Sequence, residues 1–384
     1  MEAEPALRQL LRPGARLAWG DGCGSPNALA GDVSRVAHSI HDIDLVLGWV
    51  PSGSLRLDLG AFASVRTFMG GYGLRGPIDD GRARYVVCRL GATPALLHGA
   101  LRPDVLVASV RRSGDGHRFT TESAWQRAAV DAGAVVVAVE RPGAPGLEDG
   151  PVLPSEQLVI VGSSDAPPIV ADWGEPSGIH RGVAERVVPL IPPGSRVQYG
   201  PGAVGTAVLD ALGVAVEIDT GMLTDAVVDL DARGLLAGRP LAPYAGGSER
   251  LYDWAEGRAC VARFELTHDP VRLAGAPPLV AVNTALEIDV DGQVNVESVG
   301  GSAVAGIGGH PDYAFGAGRS IHGTSIVALP TVRGEHPTLV EQLSCPASTA
   351  SHDVDMVVTE LGVADLRGRD RRERRRAITA LWGW

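Results

Sequence analysis

Apolar residues cluster in short runs along this chain, separated by glycine- and proline-rich turns and by longer amphipathic stretches. The runs are apolar at almost every position, which is typical of strands buried on both faces of a parallel sheet. The predicted strands are Asp104–Val110, Ala134–Glu140, Gln157–Gly162, Gly213–Ile218, Leu279–Asn283 and Ser325–Leu329. Helical spacing predicts helices at Trp125–Ala132, Gly182–Leu190 and Ala203–Leu212. This alternation predicts an α/β fold with mainly parallel sheets.

The chain length favours more than one domain. A chain of 384 residues corresponds to roughly two or three domains of about 150 residues each. The stretch from Arg141 to Ser177 is dense in proline and glycine, as a crossing between domains often is. We therefore expect two tandem α/β domains, at residues 1–175 and 176–384.

Two segments share a strand, glycine-rich turn and helix pattern. They are Ala15–Ala30 (ARLAWGDGCGSPNALA) and Ser195–Leu209 (SRVQYGPGAVGTAVL). The amide groups of such a turn and of the first helical turn can bind an anion. Any sharp strand-to-helix turn also favours glycine, so the pattern alone leaves both interpretations open.

Composition removes several classes of chemistry. All 34 basic residues are arginine, so a pyridoxal phosphate Schiff base and a P-loop lysine are excluded. Ten histidines without ligand spacing predict no metal site. The net charge of −11 disfavours nucleic acid as a partner, and we interpret the arginine-rich run Arg367–Arg376 as a solvated helix.

Cysteine usage and hydropathy bear on the compartment. The four cysteines lie far apart, with no secretion signal ahead of them, which is typical of reduced thiols. No run of about 18 apolar residues suggests a membrane span. We expect a cytoplasmic protein without a membrane partner.

An ordered set of segments carries a resemblance to a known family. The segments are Arg66–Gly73 (RTFMGGYG), Gly81–Cys88 (GRARYVVC), Arg102–Val110 (RPDVLVASV), Gly200–Val208 (GPGAVGTAV), Val282–Asp289 (VNTALEID), Ala305–Tyr313 (AGIGGHPDY), Ser325–Pro330 (SIVALP) and Val357–Gly368 (VVTELGVADLRG). Together they resemble the acetyl-CoA hydrolase/transferase family, which includes the 4-hydroxybutyrate CoA-transferases. The likeness covers most of the chain and is strongest from residue 196 to 376.

The resemblance implies two α/β domains of the CoA-transferase fold that bind coenzyme A between them as acyl-CoA substrate, with no metal. It further implies a carboxylic acid acceptor and a homodimer. Family members use a glutamate that attacks the thioester and then holds CoA as a glutamyl thioester. Glycine-rich turns stabilise the oxyanions that form.

The position of that glutamate departs from the family pattern. In Ile218–Leu230 (IDTGMLTDAVVDL), Gly221 stands where the nucleophile is expected by resemblance. Strand alternation places Asp219 on the same face, about 6.6 Å away. Glu287 matches a carboxylate that the family also has, and Asn283 is predicted to orient a carboxylate or the thioester carbonyl. Either carboxylate could instead be a structural hydrogen-bond partner.

The remaining candidate residues bind the substrate by resemblance. Val204, after Gly202, would donate its backbone amide to the carbonyl oxygen. A glycine turn near the thioester would contain Gly306, Gly308 and Gly309. His310 stands where relatives have glutamine, so it is either a hydrogen-bonding replacement or an acid or base near neutral pH.

The leading functional hypothesis is hydrolysis of an acyl-CoA thioester, or related acyl chemistry, without the glutamyl-CoA intermediate. Asp219 or Glu287 would act as the base, with amides near Val204 and Gly308 as oxyanion donors. One alternative is a CoA-transferase that uses a replacement carboxylate. The other is a non-catalytic acyl-CoA-binding protein.

Overall fold

Two mainly parallel β-sheets organise the computed structural model, which describes residues 2–383. Unit 1 comprises the chain up to Ala171 together with Pro243–Glu265. Unit 2 comprises Asp172–Ala242 together with the chain from Leu266 onward. The division at residue 175 assigned residues 243–265 to the second domain, and the structure differs there. Backbone bridges such as Glu122 to Tyr244 and Glu148 to Val261 join this segment to unit 1.

The sheet of unit 1 has the order β4-β3-β2-β1-β5-β7-β8, with β6 paired to β5. Every pair along that order is parallel, and the β5–β6 pair is antiparallel. The strands are β1 (Arg16–Trp19), β2 (Asp44–Leu47), β3 (Ser64–Thr67), β4 (Arg84–Tyr85), β5 (Val105–Ser113), β6 (Gly116–Phe119), β7 (Val135–Glu140) and β8 (Leu158–Ser163). The strand order reverses direction at β1, so the carboxyl ends of β1 and β5 form a switch point at which open α/β sheets often bind ligands.

Short helices pack on this sheet. They are α1 (Ala3–Leu10), α2 (Ala30–Ile40), α3 (Arg75–Asp79), α4 (Thr93–His98), α5 (Gln126–Asp131) and α9 (Glu249–Ala255). Helix α2 buries Ala30, Val33, Val36 and Ala37, which share one helical face, in the core of unit 1. The strand residues Leu17, Leu45 and Val107 complete that core.

Unit 2 repeats this plan with the order β10-β9-β11-β16-β20-β21, parallel except for the final pair. These strands are β9 (Arg196–Tyr199), β10 (Glu217–Ile218), β11 (Leu279–Asn283), β16 (Thr324–Ala328), β20 (Met356–Thr359) and β21 (Gly362–Asp365). Smaller sheets contain β12 (Glu287–Asp289), β13 (Val294–Asn295), β14 (Ser298–Val299), β15 (Ser302–Ala303), β17 (Val332–Arg333), β18 (His336–Pro337) and β19 (Leu339–Val340). The switch point of this unit lies between β9 and β11.

Two helices of unit 2 were predicted from the sequence: the one predicted at Ala203–Leu212 is observed at Ala203–Ala211, and the one predicted at Gly182–Leu190 is observed at Gly178–Val187. The helices of unit 2 are α6 (Gly178–Val187), α7 (Ala203–Ala211), α8 (Asp225–Ala232), α11 (Pro270–Ala274), α12 (His310–Ala317) and α13 (Arg371–Ala380). The short helix α10 (Phe264–Thr267) lies where the chain passes back into unit 2. Single 3-10 turns occur at Asn27–Leu29, Leu59–Ala61, Tyr72–Leu74, Leu90–Ala92, Ser155–Gln157, Val188–Leu190 and Ser351–Asp353.

The α/β prediction with mainly parallel sheets is confirmed. Strand β11 has the predicted bounds, and the other predicted strands contain or overlap the observed ones. None of the helices in residues 2–383 combines the length and hydrophobicity of a membrane-crossing segment.

Candidate functional site

The glycine-rich turn of unit 1 is filled by carboxyl groups from its own unit. The Gly24 amide donates to Glu122 Oε2 at 3.0 Å, and the Trp49 amide donates to Asp21 Oδ2 at 2.8 Å. A Cβ atom on Gly24 would collide with the Glu122 carboxyl, and one on Gly48 would collide with that of Asp21. The turn therefore binds internal carboxyl groups rather than an external anion.

Both carboxyl groups are deeply buried. Burial raises the pKa of Glu122 to about 8, although hydrogen bonds from Thr121 and Gly24 oppose this effect. Burial also raises the pKa of Asp21 to about 6, against hydrogen bonds from Tyr244 and Trp125. Glu122 is consequently mostly neutral at pH 7, which suits a carboxyl group sealed inside a fold.

The matching turn of unit 2 opens onto a cavity of about 400 Å³. The cavity lies where the carboxyl ends of β9, β11 and β16 converge. Its lining comprises Ile179, His180, Gly202, Ala203, Val204, Thr284, Pro330, Val332, Arg333, Gly334 and Thr338. The first amide groups of α7, at Ala203 and Val204, have no acceptor within the helix and can donate to a ligand oxygen. Gly205 has no room for a side chain because a Cβ atom there would strike the Gly200 carbonyl.

Gly221 lies just beyond β10, beside an open space. A Cβ atom on it would have only one neighbour within 4 Å, Tyr313 Cε2 at 3.8 Å. A Cβ atom on Gly309 would lie 3.0 Å from the same atom, Tyr313 Cε2. The Tyr313 ring therefore brings these two predicted residues, Gly221 and Gly309, close together. Thr220 Oγ1 donates to the Tyr199 carbonyl at 2.8 Å, which ties this loop to the start of the cavity-lining turn.

Asp219 is held in a buried double ion pair. Its Oδ2 atom accepts from Arg196 Nη1 at 2.9 Å and from Arg272 Nη1 at 2.6 Å, and its Oδ1 atom accepts from Arg272 Nη2 at 2.9 Å. Its side chain is only 4% exposed. Both carboxylate oxygens are therefore occupied by guanidinium donors and are not free to contact a water molecule in the cavity. This geometry argues against the predicted role of Asp219 as a base.

Glu287 begins β12 and is half-buried. Its Oε2 atom accepts from Asn295 Nδ2 at 2.9 Å, from Ser344 Oγ at 2.8 Å and from the Ser344 amide at 3.1 Å. Burial raises its pKa, but these hydrogen bonds and the charge of Arg333 outweigh burial, so that the pKa lies below its usual value. Glu287 is therefore an ionised carboxylate near Arg333, which lines the cavity.

Asn283 and His310 each carry a buried nitrogen without a hydrogen-bond partner in residues 2–383, namely Nδ2 of Asn283 and Nε2 of His310. The other ring nitrogen of His310 lies 2.7 Å from Thr349 Oγ1. Burial lowers the pKa of His310 to about 4, so the ring is neutral at pH 7 and serves as a hydrogen-bonding group. Buried polar atoms without a hydrogen-bond partner are rare in folded proteins, and they mark positions where a ligand or a water molecule completes the hydrogen bonding.

The other glycines of the predicted turn differ in their constraints. Gly308 has a φ of +62°, in the left-handed region that favours glycine. Gly306 is buried in the loop between β15 and α12.

Sequence reasoning missed Tyr313, Arg333, Thr284 and His180 as candidates. The signal was weak, because only the tertiary fold brings these residues to the cavity or to Gly221.

The chain is similar to CoA-transferases and acetyl-CoA hydrolases. Residues 247–381 match the family described as acetyl-CoA hydrolase/transferase C-terminal domain. The 4-hydroxybutyrate coenzyme A transferase of Clostridium kluyveri is 28% identical over 336 residues, which are 81% of this chain and 77% of that protein. The acetyl-CoA hydrolase of Candida glabrata is 28% identical over 212 residues, which are 52% of this chain and 38% of that protein.

Solved structures support the fold. The 4-hydroxybutyrate CoA-transferase from Porphyromonas gingivalis aligns with a TM-score of 0.79 at 23% identity, over 99% of this chain and 93% of that one. RipA from Yersinia pestis aligns with a TM-score of 0.87 at 20% identity, over the same shares. These comparisons confirm the family resemblance and the CoA-transferase-like fold, and they show that the family is enzymatic.

Proposed function

Because residues 247–381 match the family described as acetyl-CoA hydrolase/transferase C-terminal domain, we propose that this chain hydrolyses an acyl-CoA thioester without a glutamyl-CoA intermediate. The observation that carries the proposal is the open space beside Gly221, where no side chain is present to attack the thioester. Water is the nucleophile that remains. Its oxygen bonds to the carbonyl carbon, the carbon–sulfur bond breaks, and the products are a free carboxylic acid and CoA.

Glu287 is the better supported of the two candidate bases. Three donors fix its Oε2 atom, whereas Oε1 has no hydrogen-bond partner within residues 2–383 and can take a proton from water. Asp219 lacks this freedom because its two oxygens are bound to arginines. The amides of Ala203 and Val204 are the proposed donors to the oxyanion.

A second candidate function is CoA transfer to a carboxylic acid acceptor through Glu287 as nucleophile. The lowered pKa of Glu287 favours it, because an ionised carboxylate is the reactive form. Hydrolysis and transfer differ in their intermediates: transfer passes through a covalent CoA adduct on the protein, and hydrolysis with water as nucleophile forms no covalent intermediate with the protein.

The test is incubation of the protein with a panel of acyl-CoAs, with and without acetate. Free CoA should be measured by chromatography, because the partly exposed Cys88 and Cys345 would react with a thiol reagent. CoA release independent of acetate, with no mass adduct on the intact protein, supports hydrolysis. An adduct at Glu287 supports transfer instead. Tight acyl-CoA binding without turnover would overturn both and identify a binding protein.

A further inference from the structure

Tyr313 has a buried hydroxyl that the protein itself does not satisfy. The residue is 1% exposed, and its hydroxyl has no hydrogen-bond partner in residues 2–383. Its ring belongs to a small core cluster with Leu279 and Ala281 of β11. A buried hydroxyl without a partner destabilises the fold, so the position is best explained by an acceptor that another molecule supplies.

Further unpartnered polar atoms lie on the same face of the sheet. In the strand register, Ala281 pairs with Gln198 of β9 on one side and with Ser325 of β16 on the other. Paired residues of parallel strands point to the same face, so Gln198 and Ser325 flank the position on which Tyr313 packs. Gln198 Oε1 and Ser325 Oγ are buried and unpartnered within residues 2–383. Asn283, two residues after Ala281, carries its unpartnered amide on that face as well.

The open space beside Gly221 adjoins the Tyr313 ring edge. The hydrogen bond from Thr220 Oγ1 to the Tyr199 carbonyl holds the Gly221 loop against the end of β9, which the cavity-lining turn follows. Resting on the proposed function, we propose that Tyr313 is a specificity-determining residue whose hydroxyl donates a hydrogen bond to an oxygen atom carried by the acyl chain. The favoured substrates are thioesters of neutral hydroxy or keto acids. A plain hydrocarbon chain in this space would leave the polar atoms unsatisfied.

The charges around Tyr313 favour a neutral oxygen over a second carboxylate. The two nearby arginines, Arg196 and Arg272, are engaged by Asp219 and by backbone carbonyls such as those of Leu273 and Thr267. Asp312 is a second carboxyl group whose charge acts on Tyr313, so the two carboxyl groups balance the two arginines and leave no net positive charge for a dicarboxylic acyl group. Burial, followed by the charge of Asp219, raises the pKa of Tyr313 well above its usual value, so the hydroxyl remains a donor at neutral pH.

The test compares acyl-CoAs of equal chain length in the wild type and in Tyr313→Phe. The probes are butyryl-CoA, 3-hydroxybutyryl-CoA and acetoacetyl-CoA. We expect the wild type to favour the two oxygenated probes in kcat/KM, and Tyr313→Phe to reduce that preference by about tenfold, the size expected for one buried hydrogen bond. Butyryl-CoA turnover should remain unchanged or rise. An equal effect on all three probes, or no effect, overturns the proposal.

Tyr199→Phe is the matched control. Tyr199 is equally buried, but its hydroxyl lies 3.1 Å from Thr224 Oγ1 and accepts from the Thr224 amide at 3.1 Å. We expect Tyr199→Phe to lower the melting temperature without changing the acyl preference. Tyr313→Phe should leave the melting temperature unchanged or raise it. A drop as large as that of Tyr199→Phe, with no change in preference, would show that a buried water satisfies Tyr313 and would overturn the proposal.

Calorimetry with the thioether analogues of the same three probes measures the preference without turnover. If the wild type turns over or binds acyl-CoA without any preference, this inference fails and the proposed function stands. If the wild type binds the analogues with the expected preference but turns over none of the thioesters, the hydrolase proposal fails and the specificity subsite stands. If the wild type neither binds nor turns over any probe, both the hydrolase proposal and the specificity proposal fail.

Discussion

The carboxylate of Asp219 and the guanidinium of Arg272 face each other through two hydrogen bonds, of 2.6 Å and 2.9 Å. Arg196 adds a third bond from β9. Because Asp219 directly follows β10, this cluster joins the two neighbouring strands to the segment around α11. We expect Asp219→Asn to lower the free energy of unfolding by about 3 kcal/mol, since two arginines would lose their counter-charge. Urea unfolding measures this change.

Asp365→Asn is the control for that substitution. Asp365 forms a comparable two-bond pair with Arg367, but both side chains are more than 40% exposed. Its loss should cost less than about 1 kcal/mol. If Asp219→Asn were instead as stable as the wild type and lost thioester hydrolysis, Asp219 would be the base after all.

The raised pKa of the buried Glu122 carboxyl group makes the stability of the fold depend on pH. The pKa of Glu122 lies near 4.5 when the carboxyl is free and near 8 in the folded chain. The folded state binds this proton more tightly, so the stabilisation is fully present below about pH 4.5 and is lost as the pH rises through 8. The stabilisation from the Asp21 proton is lost in the same direction, as the pH rises from 3.8 to about 6. We expect stability to fall from pH 5 to pH 8, by up to about 1.4 kcal/mol per pH unit for each group.

Glu122→Gln separates this contribution from other titrations. Glutamine keeps the shape and an acceptor for the Gly24 amide but does not titrate. Urea unfolding at pH 5, 6.5 and 8 should show a flatter profile for the variant. Parallel profiles for the two proteins would show that the Glu122 proton does not contribute.

Gly221→Glu should restore a nucleophile. The open surroundings of Gly221 accept a Cβ atom, with the Tyr313 edge in ordinary van der Waals contact. We expect the variant, after exposure to acyl-CoA, to carry a covalent CoA adduct that intact mass spectrometry detects, because a glutamyl thioester is then accessible. Gly221→Gln fills the same space without a carboxylate and should carry none. A folded Gly221→Glu variant without adduct would mean that the thioester does not reach this position.

Glu287→Gln tests the proposed base. We expect acyl-CoA hydrolysis to slow by about a hundredfold, a usual size for the loss of general-base catalysis. Glutamine keeps an oxygen acceptor for Asn295 and Ser344, so thermal stability and acyl-CoA affinity should change little. Glu341→Gln, at an exposed pair with Arg375, is the control. Hydrolysis at the wild-type rate in Glu287→Gln would exclude the carboxylate as the base.

Local sequence patterns predicted the sheets because the strands are buried on both faces. Leu279–Asn283 is apolar up to its last residue, and its strand has those bounds. The path of residues 243–265 could not be predicted this way. Its attachment to unit 1 depends on isolated backbone bridges, such as Ala124 to Arg263, which leave no periodic pattern in the sequence.

The site was predicted only in part. The Gly202–Val204 turn could be found because strand, glycines and helix follow one another in the chain. The engagement of Asp219 could not, because Arg196 and Arg272 lie 23 and 53 residues away in sequence. The importance of Tyr313 was equally hidden, since its ring meets Gly221 only after α12 has packed on β11.

The contrast between the two glycine-rich turns limits where new ligand chemistry can be engineered. In unit 1, the carboxyl groups of Asp21 and Glu122 occupy the glycine-rich turn. A ligand-binding site could be engineered there only by truncating both side chains and compensating for the lost packing. In unit 2, the turn already opens onto a cavity, so substitutions in the cavity lining would change the ligand site without the removal of packed carboxyl groups.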